Sequence, residues 1–222
     1  MVDVLSDDID RFVRAVGPEP DETLREMDDY ARREGFPTVG PDVGATLRLL
    51  ARLTDAERIF EFGSGYGYSA YWMAEALSND GEIVLTEVDA DELELAREYM
   101  REGGYDDLAR YELGDALETI DDYDGPFDMV LIDCQKHRYR DAFEAVREKV
   151  SPGGVVVGDN AITAGPMDFE HLLALVEGEA PDDVDEHTRG IADYLERVTD
   201  DPDFETIALP LGEGIAVSYR LE

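Results

Sequence analysis

Cysteine is almost absent: the 222 residues include a single thiol, Cys134, which excludes an internal disulfide and a cysteine-based structural zinc site. Long apolar runs are missing too. No stretch reaches the roughly 18 residues that a membrane-spanning helix needs. The start MVDVLSDDID carries neither a basic n-region nor an apolar h-region, so the expected location is the cytoplasm. Positive charge is scarce, with 19 Lys+Arg against 55 Asp+Glu and a formal net charge of −36. Binding to phosphate backbones and anionic membranes depends on Lys and Arg, so neither nucleic acid nor membrane is an expected partner.

What is present suits a folded protein. Hydrophobic residues make up 43% of the chain, and 11 Tyr and 8 Phe can fill a core that a disordered acidic chain would lack. Lys136 and Lys149 are the only lysines, arginine supplies the remaining basic charge, and acids crowd into 121–124, 182–186 and 200–203. This surface resembles that of proteins from extreme halophiles. Molar salt shortens the Debye length to roughly 3 Å, so self-repulsion would be screened there and would weaken the fold in dilute buffer.

Residues 1–55 read as three helices: Ser6 can cap one through Val16, Asp21 a second through Glu34 with Gly35 as its stop, and Pro41 can open a third through Leu53. Apolar positions are sparse in the first two, which are expected to form a peripheral lid or dimer arm. From Arg58 short apolar runs at 59–62, 83–87, 109–113, 129–133 and 155–159 alternate with helical segments near 68–77, 91–102, 116–120 and 139–150. That alternation predicts an α/β fold, a doubly wound, mostly parallel sheet covered on both faces. Helices near 168–176 and 184–198 follow, and then the runs 205–209 and 215–219. Gly212 and Gly214 in the connection allow a closing antiparallel hairpin. With no repeat and no linker, one domain over 1–222 is expected: a helical arm (1–55), a core (56–160), and an insertion with the closing hairpin (161–222).

The segment Glu61-Phe-Gly63-Ser-Gly65-Tyr-Gly67-Tyr68-Ser69 follows the first strand and opens a helix. Alternate glycines let the backbone turn sharply and bring free N–H groups to a ligand, although such a turn can also serve only to pack helix on strand. A dinucleotide fingerprint would place its third glycine at Tyr68 or Ala70, so a pyrophosphate cradle and an NAD-dependent oxidoreductase are disfavoured. Glu87 ends the second strand, where a carboxylate can accept ribose hydroxyls or cap the next helix. Asp115, after the third strand, can accept from an adenine amino group or act as a helix N-cap. Asp133, Asp159 and Asn160 end two buried strands. They form a hard oxygen set suited to an octahedral cation such as Mg²⁺, or alternatively cap two helices.

Glu61–Ser69 resembles motif I of S-adenosylmethionine-dependent methyltransferases. Together with Glu87, Gly114-Asp115, Asp133 with Lys136 and Tyr139, Asp159-Asn160 and the terminal Leu-Pro-Leu-Gly-x-Gly, it makes the chain similar to the cation-dependent O-methyltransferases. That family includes catechol and caffeoyl-CoA O-methyltransferases, and the similarity runs from about Phe36 to the C-terminus. It implies a seven-stranded class I methyltransferase fold and a homodimer. It also implies that Asp133, Asp159 and Asn160 hold the metal and that Lys136, beside Asp133, is the base for a substrate hydroxyl. Gly63 and Ser69 would contact the methionine part of S-adenosylmethionine, Glu87 its ribose and Asp115 its adenine. Glu61, Gly65, Gly67, Tyr68, Val88, Ala116 and Asp133 would complete the cofactor site.

The chemistry agrees with these roles. A bound cation acidifies and fixes a hydroxyl, and its charge would favour a neutral amine at Lys136, where arginine could not serve as a base. The implied reaction is methyl transfer to a small catechol-like or vicinal diol acceptor. A tRNA hydroxyl methyltransferase of the same superfamily and a non-catalytic cofactor-binding module are the alternatives. Cys134-Gln135 matches neither the His-Trp of the catechol type nor the Ala-Asp of the caffeoyl-CoA type, so the acceptor stays open. Cys134 is expected in a pocket wall or the core, and His137 on an exposed loop or as a second proton acceptor.

Overall fold

A computed structural model describes residues 4–221; residues 1–3 and 222 of the expected domain lie outside it. The parallel strands are β1 (Arg58–Phe62), β2 (Glu82–Glu87), β3 (Ala109–Leu113), β4 (Phe127–Ile132) and β5 (Val150–Gly158). Two further strands, β6 (Phe204–Leu209) and β7 (Ile215–Arg220), pair antiparallel, and the seven lie in the order β3-β2-β1-β4-β5-β7-β6. The mostly parallel sheet with its antiparallel hairpin is the architecture expected. The order reverses between β1 and β4, so the segments after these strands open a crevice at the carboxyl edge.

Helices α1 (Asp7–Val16), α2 (Glu22–Glu34) and α3 (Gly40–Leu53) precede the sheet. Between the strands lie α4 (Tyr68–Ala74), α5 (Ala90–Glu102), α6 (Ala116–Thr119) and α7 (Tyr139–Val146), and α8 (Phe169–Val176) and α9 (Glu186–Thr199) follow β5. Two clusters of buried residues cover the two faces of the sheet. One joins α2–α5 to residues such as Ile59, Leu85 and Met129; the other joins α7–α9 to Phe60, Phe62 and Val130. Alternate residues of β1 thus enter opposite cores, as the pleat requires.

Several boundaries differ from expectation. Ser6 occupies the N-cap position of α1, yet its side chain makes no capping bond. Asp21 does cap α2, accepting from Leu24 N at 2.8 Å, and Gly35 ends that helix in the left-handed region. The expected helix at 68–77 stops at Ala74, and that at 139–150 stops at Val146 and gives way to a 3₁₀ turn, Arg147–Lys149. Strand β5 starts at Val150 because Val150 pairs with Phe127 ahead of an irregularity in the β4 ladder.

The larger correction concerns α2. Although α1 buries no residue, α2 sends Leu24, Met27 and Ala31 into the core, so only α1 is peripheral. A sparse apolar stripe suffices when one face meets the body, since each fully buried large side chain contributes on the order of 1.5–3 kcal/mol. Among the described residues, no helix is long and apolar enough to cross a membrane.

Candidate active site

The glycine turn between β1 and α4 holds its shape through left-handed backbone at Gly63, Gly65 and Gly67. Glycine is also required by close packing at two of these positions: a Cβ on Gly63 would collide with the Asp133 carbonyl, and one on Gly67 would press on Ala96. Thr86, buried in β2, fastens the turn from the side. Its hydroxyl donates to the Glu61 carbonyl at 2.6 Å, and its carbonyl accepts from Ser64 N at 2.9 Å.

The turn forms one wall of a cleft of about 580 Å³ along the carboxyl edge of the sheet. This volume lies within the range of small-molecule sites. Gly63, Gly65, Tyr68, Ser69, Glu87, Val88, Asp115, Ala116, Asp133, Lys136, Asp159 and Asn160 all line it. Two anticipated residues do not. Gly67 packs on α5, and Glu61 is fully buried beneath the turn, where Ser69 Oγ meets its Oε1. Burial, opposed by that serine and reinforced by the charges of Asp133 and Glu87, pushes the Glu61 carboxyl up to about 8.

Glu87 reaches back to the turn, accepting from Gly65 N at 2.9 Å, and from Val88 N and Asp89 N in its own loop at 2.7 and 3.0 Å. The capping role considered for it belongs to Asp89, which accepts from Asp91 N at 2.9 Å. Asp115 does cap α6 through Leu117 N at 2.9 Å, and its second oxygen pairs with Arg138 at 2.8 Å. Arg138, first of all causes, holds that carboxyl below the usual range.

At the other end of the cleft the sheet ladder aligns the two acid-bearing strand tips. Asp133 N donates to Phe62 O at 2.9 Å, and Asp159 N donates to Ile132 O at 3.0 Å. Lys136 Nζ then gathers the ends together, donating to Asp133 Oδ1 at 3.2 Å, to the Tyr139 hydroxyl at 2.6 Å and to Asn160 Oδ1. Asn160 sits in the left-handed region (φ 52°), and its amide nitrogen donates to Glu213 Oε2 at 2.5 Å. Thus Glu213, on the loop between β6 and β7, sets which way the Asn160 amide faces. The same loop clamps the segment after β5, its Gly214 O accepting from Ala161 N at 2.7 Å.

Asp159 is buried with Oδ1 unpartnered, and burial followed by the charge of Asp133 raises its carboxyl well above the ordinary range. Glu213 is raised as well, chiefly by burial. Two strand-tip carboxyl groups and an amide oxygen, one of the carboxyl oxygens buried without a partner, suit a hard divalent cation. Among the described residues no three His, Cys, Asp or Glu side chains gather as a metal-binding group, so a cation here would rest on Asp133, Asp159 and the Asn160 amide.

Cys134 does line the wall, and burial pushes its thiol up to about 12, consistent with a passive role. His137 is exposed and does not line the cleft, and its ring lies beside that of His187 on α9 (ring centroids 6.4 Å). Helix α9 lies so close to this turn that a Cβ on Gly190 would collide with the Lys136 carbonyl and His137 Cα. Thr86, Arg138 and Phe36 are site residues that sequence reasoning did not assign, and Glu213 entered it only as the carboxylate within the closing Leu-Pro-Leu-Gly-x-Gly. Only Thr86, a polar residue in an apolar strand, carries a local signal.

A family model described as O-methyltransferase matches residues 19–221. The chain belongs to that family. It is 30% identical over 165 residues to a catechol O-methyltransferase of Niastella koreensis, covering 72% of this chain and 75% of that protein. To a caffeoyl-CoA O-methyltransferase of Eucalyptus gunnii it is 27% identical over 214 residues, covering 92% and 82%. The crystal structure of the O-methyltransferase TomG of Streptomyces achromogenes, involved in tomaymycin synthesis and in complex with SAM, superposes with a TM-score of 0.83. It is 28% identical and covers 97% of this chain and 96% of that one. The O-methyltransferase family is therefore established by sequence and by fold, and the site above lies at its crevice.

Proposed function

We propose that this chain transfers the methyl group of S-adenosylmethionine to a hydroxyl of a small acceptor, with a divalent cation held by Asp133, Asp159 and Asn160. The observation that carries the reading is the convergence of Lys136 on Asp133, Tyr139 and Asn160 in a cleft that the neighbouring glycine turn walls. When bound, S-adenosylmethionine supplies an electrophilic methyl group, and the cation supplies acidity and a fixed position for the acceptor oxygen. Ser69 and the glycine turn hold the amino-acid end, Glu87 the ribose, and Asp115 with Ala116 the base. Lys136, as the neutral amine, would take the acceptor proton, Tyr139 keeps that amine aimed, and Glu213 keeps the Asn160 oxygen facing the site. Much of the acceleration then comes from alignment of the two reactants.

A second cavity of about 670 Å³ shares Asp159, Asn160 and Glu213 with the first and is walled by α1, α2 and residues 36–42. It is the natural acceptor chamber. Asp7, Asp10, Asp28 and Asp42 outnumber Arg14 and Arg32 along it, which disfavours a phosphate-bearing thioester and favours a compact diol or catechol. The same excess of acid opposes an RNA acceptor.

The test is calorimetry with S-adenosylmethionine, NAD and Mg²⁺ separately, followed by methyl transfer to catechol with and without EDTA. Binding of S-adenosylmethionine in preference to NAD, and transfer that stops on chelation and returns with Mg²⁺, are expected. Full activity in metal-free protein would remove the cation from the reading.

A further inference from the structure

We propose that Glu61 is a positioning residue for cofactor binding: its carboxyl group donates a hydrogen bond to Ser69 Oγ and so frees the Ser69 proton for the carboxylate of a bound amino-acid moiety. The inference rests on the reading that S-adenosylmethionine occupies the cleft. Glu61 lies under the glycine turn and has no surface in the cleft, whereas Ser69 does line it. The contact between Ser69 Oγ and Glu61 Oε1 therefore joins a hidden acid to the wall of the site.

A serine hydroxyl has one proton and two lone pairs. Were Glu61 ionised, that proton would have to point at it, and Ser69 would present only lone pairs to the cleft. A ligand carboxylate would then be repelled. With Glu61 neutral the polarity reverses: the acid O–H is given to Oγ, and the serine O–H points outward as a donor. No proton changes hands in either state.

The surroundings favour the neutral form. Glu61 Oε2 is buried without a partner, a costly condition for a carboxylate. The nearby charged groups are Asp133 beyond β4 and Glu87 at the end of β2, both negative. From α4 the facing group is Ser69, and the Thr86 hydroxyl on β2 is spent on the Glu61 main-chain carbonyl. Burial, the leading cause, places the carboxyl's titration at about 8, within reach of experiment.

The experiment measures the affinity of the full chain for S-adenosylhomocysteine by calorimetry from about pH 6.5 to about pH 9. Affinity of the natural protein should fall roughly tenfold more than that of Glu61→Gln, whose amide donates to Ser69 at every pH. Titration of the ligand and of other groups enters both profiles and cancels in their ratio. Parallel profiles would overturn the inference, as would a tenfold loss in Glu61→Gln at the acidic end. Should Glu61→Gln fail to fold, Ser69→Ala carries the test: its disadvantage should shrink as pH rises, and a constant disadvantage overturns the proposal. Absence of binding by the natural protein at every pH would instead remove the reading on which the inference stands.

Discussion

Lys136 offers three protons to three oxygens, those of Asp133, Tyr139 and Asn160, and is held by all of them. Substituting alanine removes the group proposed, as the neutral amine, to take the acceptor proton, without touching the glycine turn. Turnover of Lys136→Ala should fall by about 10²–10⁴-fold, while S-adenosylhomocysteine affinity stays within about threefold. The same substitution takes a positive charge away from Asp133 and Asn160, so Mg²⁺ should bind more tightly, as calorimetry would read. Collapse of cofactor affinity with turnover intact at saturation would show that Lys136 serves binding and not proton transfer.

Between elements, a heavily charged joint lies around Asp201, which is buried just after α9. Arg147 reaches its carboxylate at 2.5 and 3.0 Å and Arg197 at 2.6 Å, tying the end of α7, α9 and the approach to β6 together. Arg147, the leading cause, holds the Asp201 carboxyl far below the usual range. A depressed carboxyl contributes its full stabilisation above the unfolded-state value, near 3.9, and loses it only as pH falls further toward the folded-state value. Asp201→Asn should therefore cost about 3 kcal/mol at neutral pH, lowering Tm by roughly 6–12 °C. The gap should narrow below about pH 4; a gap unchanged on acidification would contradict the ion-pair account. Such joints explain what could be read in advance. All seven strands and nine helices among the described residues were legible, because period and caps are local properties. The depth of α2 was not, since three apolar residues cannot announce which surface will cover them. In the site, Asp133, Lys136, Asp159 and Asn160 were legible from strand tips and motif. Glu213 was visible only as a carboxylate in the closing motif; its hold on Asn160, 53 residues away, exists only after folding. Glu61, expected in the cofactor site, lies one side chain behind the cleft wall for the same reason.

At the scale of the whole molecule, a net charge of −36 over 222 residues sets the response to salt. Exposed pairs such as Arg11–Asp8 and Arg32–Asp29 contribute little, so relief from repulsion should dominate. Raising KCl from about 0.1 M to about 2 M should raise Tm by roughly 5 °C or more, as thermal unfolding would measure. A melting temperature indifferent to salt would mean that the acids are already neutralised locally. The sheet order has one more consequence, in the time course of synthesis. β7 inserts between β5 and β6, and the loop before it delivers Glu213 to Asn160. A nascent or truncated chain ending before that loop can own every strand of the parallel sheet, and its glycine turn besides, and still lack the carboxylate that holds the Asn160 amide. The aim of that amide is thus the last feature of the cleft to be fixed along the chain, by a hairpin that follows every parallel strand.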